Sequence, residues 1–375
     1  MTNADAIRQM IEALSEGRER YQKAVGRQSA LFEGREADRQ PLLLSAGLTG
    51  AQAEFPHFNY REIHYDREKM LANELRGACA AMNGGREAAP SVRANMGCGI
   101  VPALFGVMPR LFEDKMPWVK DHLPKEQLAE MRASDLAITE EFRAAMEHMD
   151  YMADALEGSG VRVYPVDIQG AFDTAHIVVG DSIFYELYDD PDFVHHLLDL
   201  SCAAIKLAFD ECLRRMPGSD DAVPHYNALA IPRSLGGIKL SEDTSTLLNK
   251  EQVEEFVVPY MRRALNEAGG GYIHYCGKNP HLYQAVLDEP LARGLNFGNP
   301  DMHDMRRVLG DCANRGILYY GGIPQKEGED IGDHFSRLLA ASEKGGRAHL
   351  LLCHSCDADE AEMVGEIWDK AAASV

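Results

Sequence analysis

Short apolar runs alternate with longer amphipathic stretches along most of this chain. The runs are PLLLSA (41–46), SVRANM (91–96), VRVYPVDI (161–168), PHYNALAI (224–231), YIHYC (272–276), GLNFG (294–298), ILYYGG (317–322) and AHLLLC (348–353). Their length and bounding turn residues predict strands. The stretches between them carry helix-start signals. Asp190 before Pro191 opens DFVHHLLDLSCAAIKLAFDECLRRM, and Asn249 opens KEQVEEFVVPYMRRALNEA, which runs out into Gly269, Gly270 and Gly271. Strands that alternate with helices are parallel strands joined by crossovers. Eight such runs, none followed by a GxGxxG or GxxxxGKS/T phosphate loop, predict an α/β fold of the TIM-type (β/α)8 barrel kind rather than an open doubly wound sheet.

Residues 1–40 read as an N-terminal helical extension, with Ile7, Met10, Ile11 and Leu14 at helical spacing and a charged stretch after them. This arm is expected to pack outside the core of a single barrel domain at 41–375. A polar stretch from Lys115 to Ser134 reads as an inserted loop and helix.

Composition narrows the function. A hydrophobic content of 45% is ample for a packed core, yet the longest apolar runs fall far short of the roughly 20 residues that span a bilayer. The start, MTNADAIRQMIEALSEG, is polar and lacks a signal core, so a cytoplasmic location is expected. A formal net charge of −21 repels nucleic acid and anionic membrane. The eight cysteines are scattered rather than laid out as a small disulfide framework, which predicts reduced thiols.

Candidate chemistry gathers at the ends of the later runs. His274 and Cys276, two apart on an extended strand, project from one face within reach of one metal ion. Cys353, far along the chain, ends another predicted strand and would complete a tripod. One imidazole and two thiolates suit zinc, and three protein ligands leave a position open for chemistry. The same residues also fit a core histidine and small buried thiols. In a barrel the active site lies at the C-terminal strand ends, which Arg93, Asn95, Asp167, Gln169 and Tyr320 share as candidate substrate-binding residues, with Asp173, His176, Tyr319 and His354 near them. Asp167 and Gln169 also fit a strand cap, and Asp243 a turn residue. His354 should face away from Cys353. Cys356 could be a fourth ligand, although its place before the last helix needs no chemistry; that helix reads as DADEAEMVGEIWDKAA.

The motifs VRANMGCGIVPALFG (92–106), VDIQGAFDTAHIVVG (166–180), DDPDFVHHLLDL, LSEDTSTLLNKEQVEEFVVPY (240–260), IHYCG (273–277) and LLC (351–353) resemble the uroporphyrinogen decarboxylase superfamily. Within it they resemble the zinc-dependent corrinoid methyltransferase branch, which includes the methylcobalamin:coenzyme M methyltransferases. The resemblance runs from about residue 40 onward. It implies a TIM-type barrel and zinc held by His274, Cys276 and Cys353. It also implies methyl transfer between a corrinoid, either methylcobalamin or a corrinoid protein partner, and a small-molecule thiol. The arginine-rich N-terminal motif of the decarboxylases is missing, Arg61 and Arg67 being unconnected, and this disfavours porphyrinogen decarboxylation. Demethylation of a methoxylated or methylated substrate onto a corrinoid protein, or another activity on a decarboxylase-like barrel, are the alternatives.

Overall fold

A computed structural model describes residues 2–374; Met1 and Val375, at the ends of the two expected segments, lie outside the described residues. Eight strands carry the architecture: β1 (Leu42–Ala46), β2 (Ser91–Val92), β3 (Arg162–Val163), β4 (Ile238–Ser241), β5 (Gly271–Tyr275), β6 (Ala292–Phe297), β7 (Leu318–Gly321) and β8 (Leu350–Cys356). Six of them form one parallel sheet in the order β1–β8–β7–β6–β5–β4, and β2 pairs in parallel with β3. A parallel bridge between Gln169 and Ser241 joins the chain after β3 to β4. The result is a mixed α/β fold with a central parallel sheet, consistent with a TIM-type barrel.

The closed ladder expected from the pattern is not formed among the described residues, because no pairing joins β1 to β2. Glu87 accounts for part of the gap. Its carboxylate accepts the Leu42 N–H at 3.0 Å and its backbone N–H donates to the Leu42 carbonyl at 3.2 Å, so this one residue, through side chain and backbone, meets polar groups that a strand would otherwise pair. Pro90 and Pro165 flank the two short strands, where a residue without an N–H cannot extend a ladder.

A second correction concerns residues 224–231. Ala222–Pro224 and Ala230–Pro232 form an antiparallel hairpin around a turn at Tyr226–Ala228, with Ala228 at φ 62°. The strand that pairs with β5 is instead Ile238–Ser241. Gln28 pins the hairpin: its amide donates to the carbonyls of Glu87 and Ala228 at 2.7 and 3.0 Å and accepts the Ala230 N–H at 2.7 Å.

The N-terminal arm forms two helices, Asn3–Ser15 and Arg18–Phe32. The first is not merely external, for Ala6, Met10 and Leu14 are fully buried against the helix Arg67–Asn83. The predicted caps form. Asp190 accepts from Phe193 N at 3.1 Å to start Pro191–Arg214, and Asn249 accepts from Gln252 N at 2.9 Å. The helix that Asn249 opens widens to a π stretch at Val253–Val257 just before Pro259, which has no N–H to keep the α ladder regular. The polar stretch after Lys115 holds Trp118–Val119, paired with Pro109–Arg110, and the helix Lys125–Glu130. The last helix starts at Ala361 rather than Asp357, since β8 runs on through Cys356, opposite Ala46. No described helix is long and apolar enough to cross a membrane.

Candidate metal centre and cavity

His274 in β5 lies directly opposite Asn296 in β6. Its Nδ1 is 2.5 Å from Asn296 Oδ1, and Asn296 Nδ2 is 2.5 Å from the Tyr320 carbonyl. A carbonyl accepts only, so the amide must place its NH2 toward Tyr320 and its oxygen toward the imidazole. His274 therefore carries its hydrogen on Nδ1 and offers a lone pair at Nε2. Cys276 stands two residues on, where β5 ends, with Sγ 3.7 Å from that Nε2. Gly298 makes the room: a Cβ there would overlap the Cys276 sulfur.

Asp243 comes to the same spot from the loop after β4. Its Oδ1 accepts the Cys276 N–H at 2.5 Å and lies 3.8 Å from His274 Nε2. The loop is anchored from below by the buried Asp173, which accepts the N–H groups of Asp243 and Thr244 at 2.6 and 2.8 Å. One ligand atom each from Asp243, His274 and Cys276 lie within 4.8 Å of one another. Cys353 is not in that group. It is half-buried in β8, opposite Leu43 and beside Tyr320.

This donor set fits a zinc ion. Two ligands on one tetrahedral zinc at ordinary bond lengths sit about 3.6 Å apart, and Nε2 to Sγ is 3.7 Å. Burial pushes the Cys353 thiol up to about 12, with Tyr320 acting the other way, and pushes Cys276 up to about 11, with the Asp243 carboxylate adding to it. Neither sulfur is a thiolate at neutral pH without a cation beside it. Burial, and next the Lys239 ammonium, hold His274 below its ordinary value, which keeps it neutral as a ligand must be.

Next to these groups opens a cavity of about 360 Å³ lined by Arg93, Asp167, Lys239, Tyr272, His274 and Tyr320 among others. Burial alone would raise the Asp167 carboxyl, but Lys239 and Arg93 hold it well below the usual carboxylate range. Three of the expected substrate-binding residues, Arg93, Asp167 and Tyr320, thus share one wall with His274. Two do not line it. Asn95 grips Arg93, its Oδ1 accepting from Nε and Nη2 at 3.2 and 2.9 Å, and Gln169 is buried in the bridge to Ser241. His176 pairs with Asp181 at 2.8 Å, the buried Tyr319 ring packs on Phe297, and His354 packs edge-on against Phe335. Lys239 and Asn296 were missed from the pattern, although the alternation of IKLS after Gly236–Gly237 and the polar Asn296 within GLNFG were signals.

No protein-family model matches the chain, and no curated protein matches it. Among solved structures it is similar to a methyltransferase from Methanosarcina mazei, with a TM-score of 0.64 at 14% identity over 94% of this chain and 98% of that one. The two share a fold along nearly their whole lengths.

Proposed function

We propose that this protein is a zinc-dependent enzyme that moves a methyl group between a corrinoid, either methylcobalamin or the prosthetic group of a corrinoid protein, and a small-molecule thiol. The observation that carries the reading is the 3.7 Å approach of His274 Nε2 to Cys276 Sγ, with Cys353 as the third ligand that the resemblance implies. A fold held in common with a methyltransferase supports it as analogy. When bound, zinc would lower the pKa of a coordinated substrate thiol so that it loses its proton to solvent and stands as the thiolate, which is the nucleophile. The chain's own residues prepare for that. Asn296 fixes the imidazole so that Nε2 faces the shared position. Asp243 clamps the Cys276 backbone and keeps the sulfur at the strand end. Arg93, Asp167, Lys239 and the tyrosines form the cavity wall beside His274, so a molecule seated there has one end at the ligands.

One observation favours a second reading. Asp243, rather than Cys353, completes the group within ligand distance. A carboxylate in place of a thiolate makes a harder donor set, suited to polarising an oxygen, and that matches corrinoid-dependent demethylation of a methoxylated substrate. Loss of carboxylate from uroporphyrinogen is not expected. Arg61, one of the two isolated arginines, is committed to the Leu111 carbonyl at 3.0 Å.

The test is zinc content together with turnover. Zinc-loaded protein should remove the methyl group from methylcobalamin in the presence of one of a panel of small thiols, seen as a shift in corrinoid absorbance. His274→Ala and Cys276→Ser should abolish both zinc and turnover. No turnover with any thiol at full zinc content would move the assignment to demethylation. Failure to hold zinc would sink both readings.

A further inference from the structure

The sheet is open at one seam. Where β1 and β2 fail to pair, a cleft of about 490 Å³ lies between β1 and the helix Arg67–Asn83, with Leu43, Ser45, Gly77, Ala81, Tyr164 and Cys353 among its lining residues. Cys353 belongs to this cleft and not to the lining of the cavity beside His274. Tyr164, Tyr226 and Gly322 line both, so the two spaces meet at those residues.

The helix side of the cleft is kept low. Gly77, Ala78 and Ala81 fall on the same helix face as Glu74, which reaches inward to accept the Arg93 N–H at 3.2 Å and the Asn95 amide at 3.0 Å. Glycine within a helix is unfavourable, because it gives up more chain freedom than any other residue. Neither backbone strain nor close packing requires it at 77. The conformation there is ordinary helix, and no atom lies within 4 Å of where a Cβ would stand. A side chain at 77 would project into the open space instead.

The cleft also borders a polar group without a partner. Tyr164 is 5% exposed, yet its hydroxyl makes no hydrogen bond among the described residues, although buried hydroxyls are normally paired. Charge is missing from the same walls. No lysine or arginine lines them, Glu74 is spent on its two donors, and burial holds His354 below its ordinary value, which leaves it neutral. An anion that entered would lose its water and meet no cation.

We propose that the seam between β1 and β2 is a side entrance for slender uncharged molecules, which reach the Cys353 thiol through it without passing Cys276 at the strand end. Gly77 keeps this entrance open. The entrance and its selectivity stand on the geometry alone; only the identity of the user, a small partner in methyl exchange that enters while a corrinoid covers the strand ends, rests on the proposed function.

Thiol labelling of the full chain, with mass spectrometry to locate the label, tests this. Methyl methanethiosulfonate is small and neutral, and it caps a thiol as the methyl disulfide with release of methanesulfinate; its sulfonatoethyl analogue carries an anion. Zinc is removed with a chelator, and each rate is divided by that of the same reagent with free 2-mercaptoethanol. Cys353 should then react about tenfold or more faster with the neutral reagent, as expected when an unpaired charge must be desolvated. Gly77→Trp, which fills the space, should slow the neutral reagent at Cys353 by about tenfold or more and leave the exposed Cys276 unchanged. Gly77→Ala, whose methyl group has room, should keep the wild-type rate and should not lower the thermal midpoint. The buried Cys212 and Cys312 report unfolding. If they become labelled in Gly77→Trp, Ala81→Leu, one turn along, carries the same expectation. An unchanged Cys353 rate in a folded blocked variant, an equal slowing at Cys276, equal labelling by the two reagents, or wild-type labelling of Cys212 and Cys312 at the rate of Cys353 would overturn the proposal. The metal reading fails separately: zinc should protect Cys276 and Cys353, and a lack of protection would remove the ligands and leave the side entrance standing.

Discussion

Asn296 and His274 face each other across neighbouring strands, and the Asn296 amide decides which nitrogen the imidazole offers. Without the Tyr320 carbonyl the amide could turn over and meet the ring with its NH2. With it, Nδ1 must donate and Nε2 is left with the free lone pair. Outer partners of this kind are worth about ten- to a hundredfold in metal affinity. Asn296→Leu should weaken zinc binding by that order in a chelator competition, and Asn296→Asp, which still accepts from Nδ1, should keep most of it. Unchanged affinity in Asn296→Leu would mean that the ring is oriented by something else.

Gly298 acts on the same site through space alone. A methyl group there overlaps the Cys276 sulfur, and with that sulfur at the strand end only the thiol or β6 can yield. Gly298→Ala should therefore lower zinc content while the thermal midpoint stays near that of the wild type, because the position borders an exposed side chain rather than the core. A variant that binds zinc normally would show that Cys276 is free to move.

The third ligand separates two donors that the fold places differently. Cys353→Ser should lose zinc if the tripod is His274, Cys276 and Cys353, and Asp243→Asn should lose it if the carboxylate takes that place. Cobalt(II) substitution adds a count of thiolates: two sulfur-to-metal charge-transfer contributions in the first case, one in the second. Cys356→Ser should retain zinc under either outcome, since residues three apart on an extended strand face opposite sides. Loss of zinc in Cys356→Ser would mean the site is closed by four protein ligands.

Much of this site can be read in advance, for definite reasons. The His274–Cys276 pair follows from the local alternation of an extended segment, and the caps at Asp190 and Asn249 are local hydrogen bonds. What escaped depends on long-range packing. PHYNALAI has the apolar density of a strand but folds as a hairpin, because Gln28, distant in sequence, satisfies its turn. The true strand, Ile238–Ser241, is short and holds a lysine in the interior, which reads as polar until Asp167 is seen to pair with it. Asp243 looks like a turn residue, and it is one; its second role arises only when β5 runs past it. A closed barrel follows from counting strands, but the pairing of Leu42 with the Glu87 side chain is invisible to any count.

His225 gives the fold a pH dependence whose sign can be worked out. The residue is buried at the cavity wall, its Nε2 2.7 Å from the Gly237 carbonyl, so it must donate there and needs no charge to do so. Burial pushes its pKa down from 6.5 to about 3, with Lys239 and Arg93 adding to the shift. Between those two values the unfolded chain binds a proton that the folded chain refuses, so stability rises with pH across this window. The contribution is complete above the unfolded value and is lost as pH falls toward the folded one. At pH 5 the loss from this one residue is about 2 kcal/mol relative to pH 7. His225→Gln keeps a donor for Gly237 and removes the titration. Denaturant unfolding at the two pH values should show a smaller difference for the variant than for the wild type by about that amount. Equal differences would mean that His225 is charged in the fold, and the Gly237 carbonyl would then be accepting from an imidazolium.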